Sequence, residues 1–251
     1  MSDPDPGAGE AFVRAFHAAR PGAMSAALAR GESYRRLAER AAVGSRVLDV
    51  GCGDGHLLEV LAARGCRPVG IDVAGEELAR SRRPRARARA QALPFASASF
   101  DAAVSHLAFM LMDEPEVIVD ELARVLVAGG GFHAVLGGGP TATGDDAFHR
   151  FLELGASRFA AIPRLGDPRT KSEAGWGALF AGWDVTFERC AIDLGGSFEE
   201  VWAFLGSSYE LAGVDVEPIR AALADRVAGL TDEAGRVPCT VVTWFASAIR
   251  R

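Results

Sequence analysis

Between about residues 45 and 136, apolar positions alternate between short extended runs and helical periods. Arg46-Val-Leu-Asp-Val50 is a β-branched run. Gly51 to Gly55 follow, and Leu57, Leu58, Val60 and Leu61 then mark an apolar helix face that Gly65 ends. Pro68-Val-Gly-Ile-Asp72 reads as a second strand, so Val47 to Asp72 forms one βαβ unit. The same rhythm predicts a helix near Glu76 to Arg82, a weak strand near Arg87 to Ala90 and a strand at Phe100 to Ser105. A helix from Pro115 to Val127, a break at Gly129 to Gly131 and a strand at Phe132 to Leu136 complete it. Repeated βα units with short connections predict an α/β fold, a doubly wound, mostly parallel Rossmann-like sheet with helices on both faces.

The flanks differ. Ala11 to Ala42 is a helical lead-in: Phe12, Phe16 and Ala19 share a face, Pro21 and Gly22 interrupt, and Leu28 to Ala42 resumes. After Leu136, Gly137 to Gly144 reads as a hinge, and Asp145 to Ala181 as helices rich in Phe and Trp, a lid inserted after the fifth strand and placed to cover the site. A strand at Trp183 to Ile192, helices at Phe198 to Leu211 and Val216 to Leu230, and a last strand at Pro238 to Ile249 follow. The expected organisation is a cap over residues 1–44 and one domain over 45–251 that includes the lid at 137–182.

Composition narrows the function. At 251 residues, 49% hydrophobic and 24% charged, the chain is an ordinary globular one, large enough for one core. A net charge of -6 provides no basic field for nucleic acid or an anionic membrane, and neutral or cationic small substrates fit better. The arginine run from Arg80 to Arg89 reads as a solvated helix end and loop rim, with an RNA contact as the alternative. Four dispersed cysteines, with no CxxC pair, indicate neither a zinc site nor a disulfide framework. Met1 to Glu10 lacks the character of a signal peptide, and no apolar stretch reaches membrane-span length, so a cytoplasmic monomer or homodimer is expected.

The loop Val47-Leu-Asp-Val-Gly-Cys-Gly-Asp-Gly55 carries the ligand chemistry. Strand, glycine turn and helix let a ligand approach the backbone at the switch point of such a sheet, and Gly51 and Gly53 permit that approach. A dinucleotide's pyrophosphate requires bare helix-terminal amides. Here Asp49 precedes the loop, Asp54 sits inside it, and His56 replaces the third glycine of GxGxxG. Two carboxylates repel a diphosphate but attract the ammonium and sulfonium of S-adenosylmethionine by about 1 to 4 kcal/mol per close pair. Asp72, ending the second strand and followed by Val73, is placed to accept hydrogen bonds from ribose hydroxyls.

The succession Val47 to Gly55, Gly70 to Asp72, Ala92 to Asp101 and Ala123 to Gly130 resembles the class I S-adenosylmethionine-dependent methyltransferases, in particular the small "type 11" proteins. The resemblance implies a seven-stranded sheet with only its last strand antiparallel. It also implies that the backbone of Gly51, Cys52, Gly53 and Asp54 faces the methionine part, and that Asp72 binds the ribose. Gln91, Ala92 and Leu93 would border the adenine, Ser105 and His106 would lie beneath the methyl group, and Tyr34 would cover the cofactor. Arg89 departs from the pattern, because the family usually carries an acidic residue there to bond the adenine amino group.

A sulfonium methyl is already activated, so the protein must mainly align a nucleophile and exclude water. His106 and His149 are the candidate bases, although His106 also fits a packed neutral position. Phe109, Phe148 and Trp176 are candidate walls of an acceptor pocket, although aromatic residues of such a segment are more often core. Ser105-His-Leu-Ala108 replaces the Asn/Asp-Pro-Pro-aromatic tetrad of enzymes that methylate base amines in DNA. The expected activity is therefore methyl transfer to an O, N or C atom of a small molecule, with S-adenosyl-L-homocysteine as product and no metal. The alternatives are an RNA or protein acceptor, or a non-catalytic cofactor-binding module.

Overall fold

The computed structural model describes residues 7–142, 144–155 and 157–251. The Pro-rich start at Met1 to Pro6, Thr143 of the expected hinge and Ala156 of the expected lid lie outside the described residues. Seven strands form one sheet: β1 (Arg46–Val50), β2 (Arg67–Asp72), β3 (Arg85–Arg87), β4 (Phe100–His106), β5 (Leu126–Gly139), β6 (Trp183–Asp193) and β7 (Thr240–Arg250). Their order is β3-β2-β1-β4-β5-β7-β6, with β7 antiparallel to both its neighbours. The order reverses between β1 and β4, so the carboxyl ends of these strands flank the switch point.

Alternation along the strands divides the core in two. Val47, Ala102 and Val104 face one apolar layer, while Leu48, Val50 and Ala103 face the other. The helices are α1 (Ala8–Ala19), α2 (Ala23–Leu28), α3 (Ser33–Ala38), α4 (His56–Ala63), α5 (Gly75–Leu78), α6 (Pro115–Val125), α7 (Ala147–Gly155), α8 (Glu173–Leu179), α9 (Phe198–Leu205) and α10 (Glu217–Val227). Among the described residues, no helix is long and apolar enough to cross a membrane, and no group of three or more His, Cys, Asp or Glu side chains could hold a metal ion.

Several elements differ from the sequence expectation. The second half of the lead-in is two helices, not one, because the chain turns at Gly31, where a Cβ would lie 2.8 Å from Ile192 Cγ2. Gly129 to Gly131 do not separate helix from strand: β5 already pairs Leu126 with Phe100, and an irregularity follows before Gly131 pairs with Ala102. The third strand lies two residues earlier than expected, and α5 is a single turn.

The described parts of 137–182 divide: the helices pack on the two sheet faces, while Ala160 to Asp167 pass the carboxyl edge, where Arg164 lies against Gly9 of α1, Ala160 N donates to Glu210 O and Asp167 N donates to Met112 O. Phe151 and Leu154 of α7 enter the core layer shared with α9 and α10, whereas Trp176 of α8 and Phe180 enter the opposite layer against Phe132. Aromatic side chains of this size are held by burial, and both sheet faces offered it.

Candidate active site

A cavity of about 230 Å³ opens at the carboxyl ends of β1, β2 and β4. Its floor is the glycine loop. Gly51 and Cys52 both donate their backbone N–H to Ile71 O at 2.9 Å, folding the loop over the end of β2. Gly51 has a φ of 78°, and a Cβ there would lie 2.4 Å from Ala108 Cβ, so only glycine fits this approach of two strand ends. The Cys52 thiol turns inward over Gly70 and packs with Leu58 and Leu78; burial pushes its pKa up.

Three aspartates line this floor in different states. The Asp72 carboxylate accepts from Gly53 N and Ala74 N, each at 2.8 Å, and desolvation still raises its pKa. Asp54 accepts from Ser25 Oγ at 2.7 Å and from its own helix start at His56 N. Asp49 is 1% exposed, and neither of its oxygens has a hydrogen-bond partner among the described residues. Burial, with the charge of Asp72 nearby, holds its carboxyl well above the usual carboxylate range. An unpaired buried carboxylate costs several kcal/mol, and a cationic ligand in the cavity removes that cost.

The roof comes from the amino-terminal helices. Glu10, Val13, Arg14 and His17 of α1 lie on one helical face and line the cavity, joined by Tyr34 of α3 and by Tyr209. His17 bridges Glu77 Oε1 at 3.2 Å and Tyr209 Oη at 2.9 Å, while Glu77 Oε2 accepts from Gly22 N. This network ties α1 to the rim. The spacing of Glu10, Arg14 and His17 was a signal in the sequence; nothing there pointed to Tyr209, which arrives from far along the chain.

At the end of β4 the Tyr34 ring stacks on His106, and Ser33 Oγ lies 2.8 Å from His106 Nε2. Desolvation lowers the His106 pKa to about 3, so the ring is neutral at physiological pH. Ser105 lies beneath the cavity floor: it donates to Val50 O at 2.8 Å and accepts from Phe109 N at 3.0 Å, joining β1 to the loop after β4. Gln91 lines the cavity and donates to Asp113 O, and Val73 also lines it. Ala92 is exposed and Leu93 is buried, donating its N–H to Glu121, and neither lines the cavity; Ala88 and Ala90 do. Arg89 pairs with Glu10 at 2.9 Å.

Four other candidates lie elsewhere. Phe109 and Trp176 are fully buried and pack edge-to-face in the core, and Phe148 packs against Phe204. His149 bonds Asp146 at 2.8 Å and Thr141 O at 3.0 Å, outside the cavity wall; its pKa is raised by Asp146.

Residues 48–134 match the family described as "Methyltransferase domain". The chain is 36% identical over 157 residues to a phosphatidylethanolamine N-methyltransferase of Cereibacter sphaeroides, a match spanning 55% of this chain and 77% of that one. The chain belongs to the class I S-adenosylmethionine-dependent methyltransferases. Another methyltransferase of the family, the malonyl-[acyl-carrier protein] O-methyltransferase of Enterobacter lignolyticus, is 38% identical over 91 residues, or 34% of this chain; the match spans only 36% of that relative's length. The same fold occurs in the YcgJ protein of Bacillus subtilis, with a TM-score of 0.58 at 18% identity, covering 88% of this chain and 98% of that one. It also occurs in Haemonchus contortus phosphoethanolamine N-methyltransferase 2, solved with phosphomonomethylethanolamine and S-adenosylhomocysteine. There the TM-score is 0.53 at 17% identity, covering 87% of this chain and 52% of that one.

Proposed function

We propose that the protein transfers the methyl group of S-adenosylmethionine to a nucleophilic atom of a small molecule by in-line displacement. The observation that carries this reading is the buried Asp49 carboxylate, without a protein partner and facing a cavity lined by further acids. The residues present fit the cofactor. Asp49 and Asp54 offer charge to its cationic methionine part, Asp72 keeps lone pairs for ribose hydroxyls, and Gly51 and Gly53 let the backbone come close. The cofactor, when bound, supplies a methyl group already activated on a sulfonium.

The chain's own work is then positioning and exclusion of water. Tyr34, 8% exposed, and the neutral His106 form a flat wall where the acceptor reaches the methyl group. The neutral imidazole can orient a hydroxyl or amine acceptor by a hydrogen bond, with Ser33 fixing its plane, whereas the desolvation that lowers its pKa disfavours the imidazolium that proton acceptance would form. A small acceptor is favoured by the enclosure under α1 and by acidic lining that carries one guanidinium, Arg14, against six carboxylates. The relatives named for ethanolamine-type and acyl-carrier acceptors are consistent with this class.

Calorimetric titration with S-adenosylmethionine, S-adenosylhomocysteine and NAD tests the cofactor. Binding of NAD without binding of S-adenosylhomocysteine overturns the reading. Radiolabelled methyl transfer into a cell extract split into small-molecule, protein and RNA fractions tests the acceptor; label confined to protein or RNA refutes the small-molecule class.

A further inference from the structure

A second hollow, of about 530 Å³, adjoins the cavity, and Asp54 and His56 stand in the walls of both. Its outer wall is Arg80, Arg82 and Arg83, the front of the arginine run, which the proposed chemistry leaves unused. The rest of that run is committed elsewhere: Arg85 donates to Leu78 O, Arg87 to Val73 O, and Arg89 pairs with Glu10. Gly55 brings the basic wall close to the glycine loop. Its φ is 86°, and a Cβ there would lie 2.3 Å from Ser81 Oγ, so the start of α4 rests directly on the turn that carries the arginines.

The charge balance of this hollow is opposite to that of the main cavity. Arg83 is matched by Glu59 at 2.6 Å. Arg80 and Arg82 form no side-chain hydrogen bond or ion pair among the described residues, and the one further carboxylate, Asp54, already takes hydrogen bonds from Ser25 and His56 N. Arg82 also acts on Glu59 through its charge, so the hollow sets three guanidinium groups against two carboxylates, Glu59 and Asp54. S-adenosylmethionine has no phosphate, and its cationic part is drawn to the acidic floor.

We propose that this hollow holds the anionic group of the methyl acceptor, an oxyanion of the phosphate type, while the reacting atom passes Asp54 and His56 into the main cavity. The proposal rests on the methyltransferase reading and adds a chemical handle to its acceptor. Guanidinium forks match phosphate oxygens in pairs and remain charged at all working pH values. The same chemistry can come from a soluble phosphomonoester or from the phosphodiester of a lipid headgroup.

The test is calorimetry on protein saturated with S-adenosylhomocysteine, using inorganic phosphate, phosphoethanolamine, and vesicles of phosphatidylethanolamine in phosphatidylcholine as probes. Phosphate or phosphoethanolamine should bind and weaken about tenfold or more in R80Q/R82Q, with the S-adenosylhomocysteine Kd unchanged within about twofold. Binding to vesicles alone, lost in the same variant, supports the site with a lipid source. R82E alone should abolish binding of the same probe. Both arginines are exposed, so melting curves should match the unaltered protein.

Binding that is equal in the variant, or absent for every probe, overturns the proposal. So does a tenfold loss of S-adenosylhomocysteine affinity in R80Q/R82Q, which would assign the arginines to the cofactor's carboxylate. Failure of the unaltered protein to bind S-adenosylhomocysteine refutes the methyltransferase reading instead, and is scored separately.

Discussion

The phenol ring of Tyr34 lies against the imidazole of His106, with ring centroids 3.8 Å apart and planes 15° from parallel. Tyr34 comes from the amino-terminal cap and His106 from the end of β4, and their stack closes the cavity where α3 meets β4. Tyr34→Phe keeps the stack and should leave kcat/KM within about threefold, whereas Tyr34→Ala opens the wall to water and should lower it about 10- to 100-fold. His106→Ala should lower kcat/KM by a similar factor. Full activity of His106→Ala from pH 6 to 9 removes the role assigned to this ring.

The same burial makes His106 a source of acid sensitivity. Its folded pKa of about 3 lies below the 6.5 of an ordinary histidine, so the unfolded chain binds the proton first. Stability from this group is complete above pH 6.5 and is lost as pH falls toward 3. Urea unfolding of His106→Gln across that window should show a shallower loss with acid. An unchanged slope would mean that the ring is solvated.

Asp49 should couple cofactor binding to protons. Its raised pKa in the free protein, and the preference of a bound cation for the ionised carboxylate, make binding release a proton. Affinity for S-adenosylmethionine should therefore rise with pH through the free-protein pKa of Asp49, and the calorimetric enthalpy should depend on buffer ionisation. Asp49→Asn should cost about 2 kcal/mol, roughly 30-fold in Kd, and abolish that proton release.

Gly51 leaves no room for a side chain. Gly51→Ala places a Cβ against Ala108 in a left-handed backbone conformation, at a cost of roughly 2 to 3 kcal/mol. For a chain of this length the Tm should fall by about 4 to 12 °C, and S-adenosylhomocysteine should no longer protect against heat. Differential scanning fluorimetry with and without the ligand reads both.

Trp176 separates packing from substrate contact. It is fully buried and donates its indole N–H to Thr170 O at 2.8 Å, away from the cavity wall. Trp176→Leu should lower stability by about 3 kcal/mol while leaving the acceptor KM unchanged at a temperature where the variant is folded. A selective rise in KM would return this residue to the pocket.

The local pattern of Val47 to Gly55, its strand, its glycines and its acids, was enough to specify the loop and the cationic ligand class, and the repeated βα units as far as Leu136 specified the parallel half of the sheet, because periodic burial, turn geometry and charge act over a few residues. The end of the second strand marked Asp72, and the family resemblance added Tyr34 and His106; all three line one cavity. What covers that cavity was decided only in three dimensions. The aromatic helices of the 137–182 segment found their apolar surface along the two sheet faces, with the stretch from Ala160 to Asp167 passing the rim, while His17 and Tyr209 met through a contact spanning 192 residues. The division of the arginine run into bonded and spare members likewise depended on where α1, α4 and α5 came to rest. Such choices turn on competition for buried area and hydrogen-bond partners between distant segments, and no single window of sequence contains both competitors.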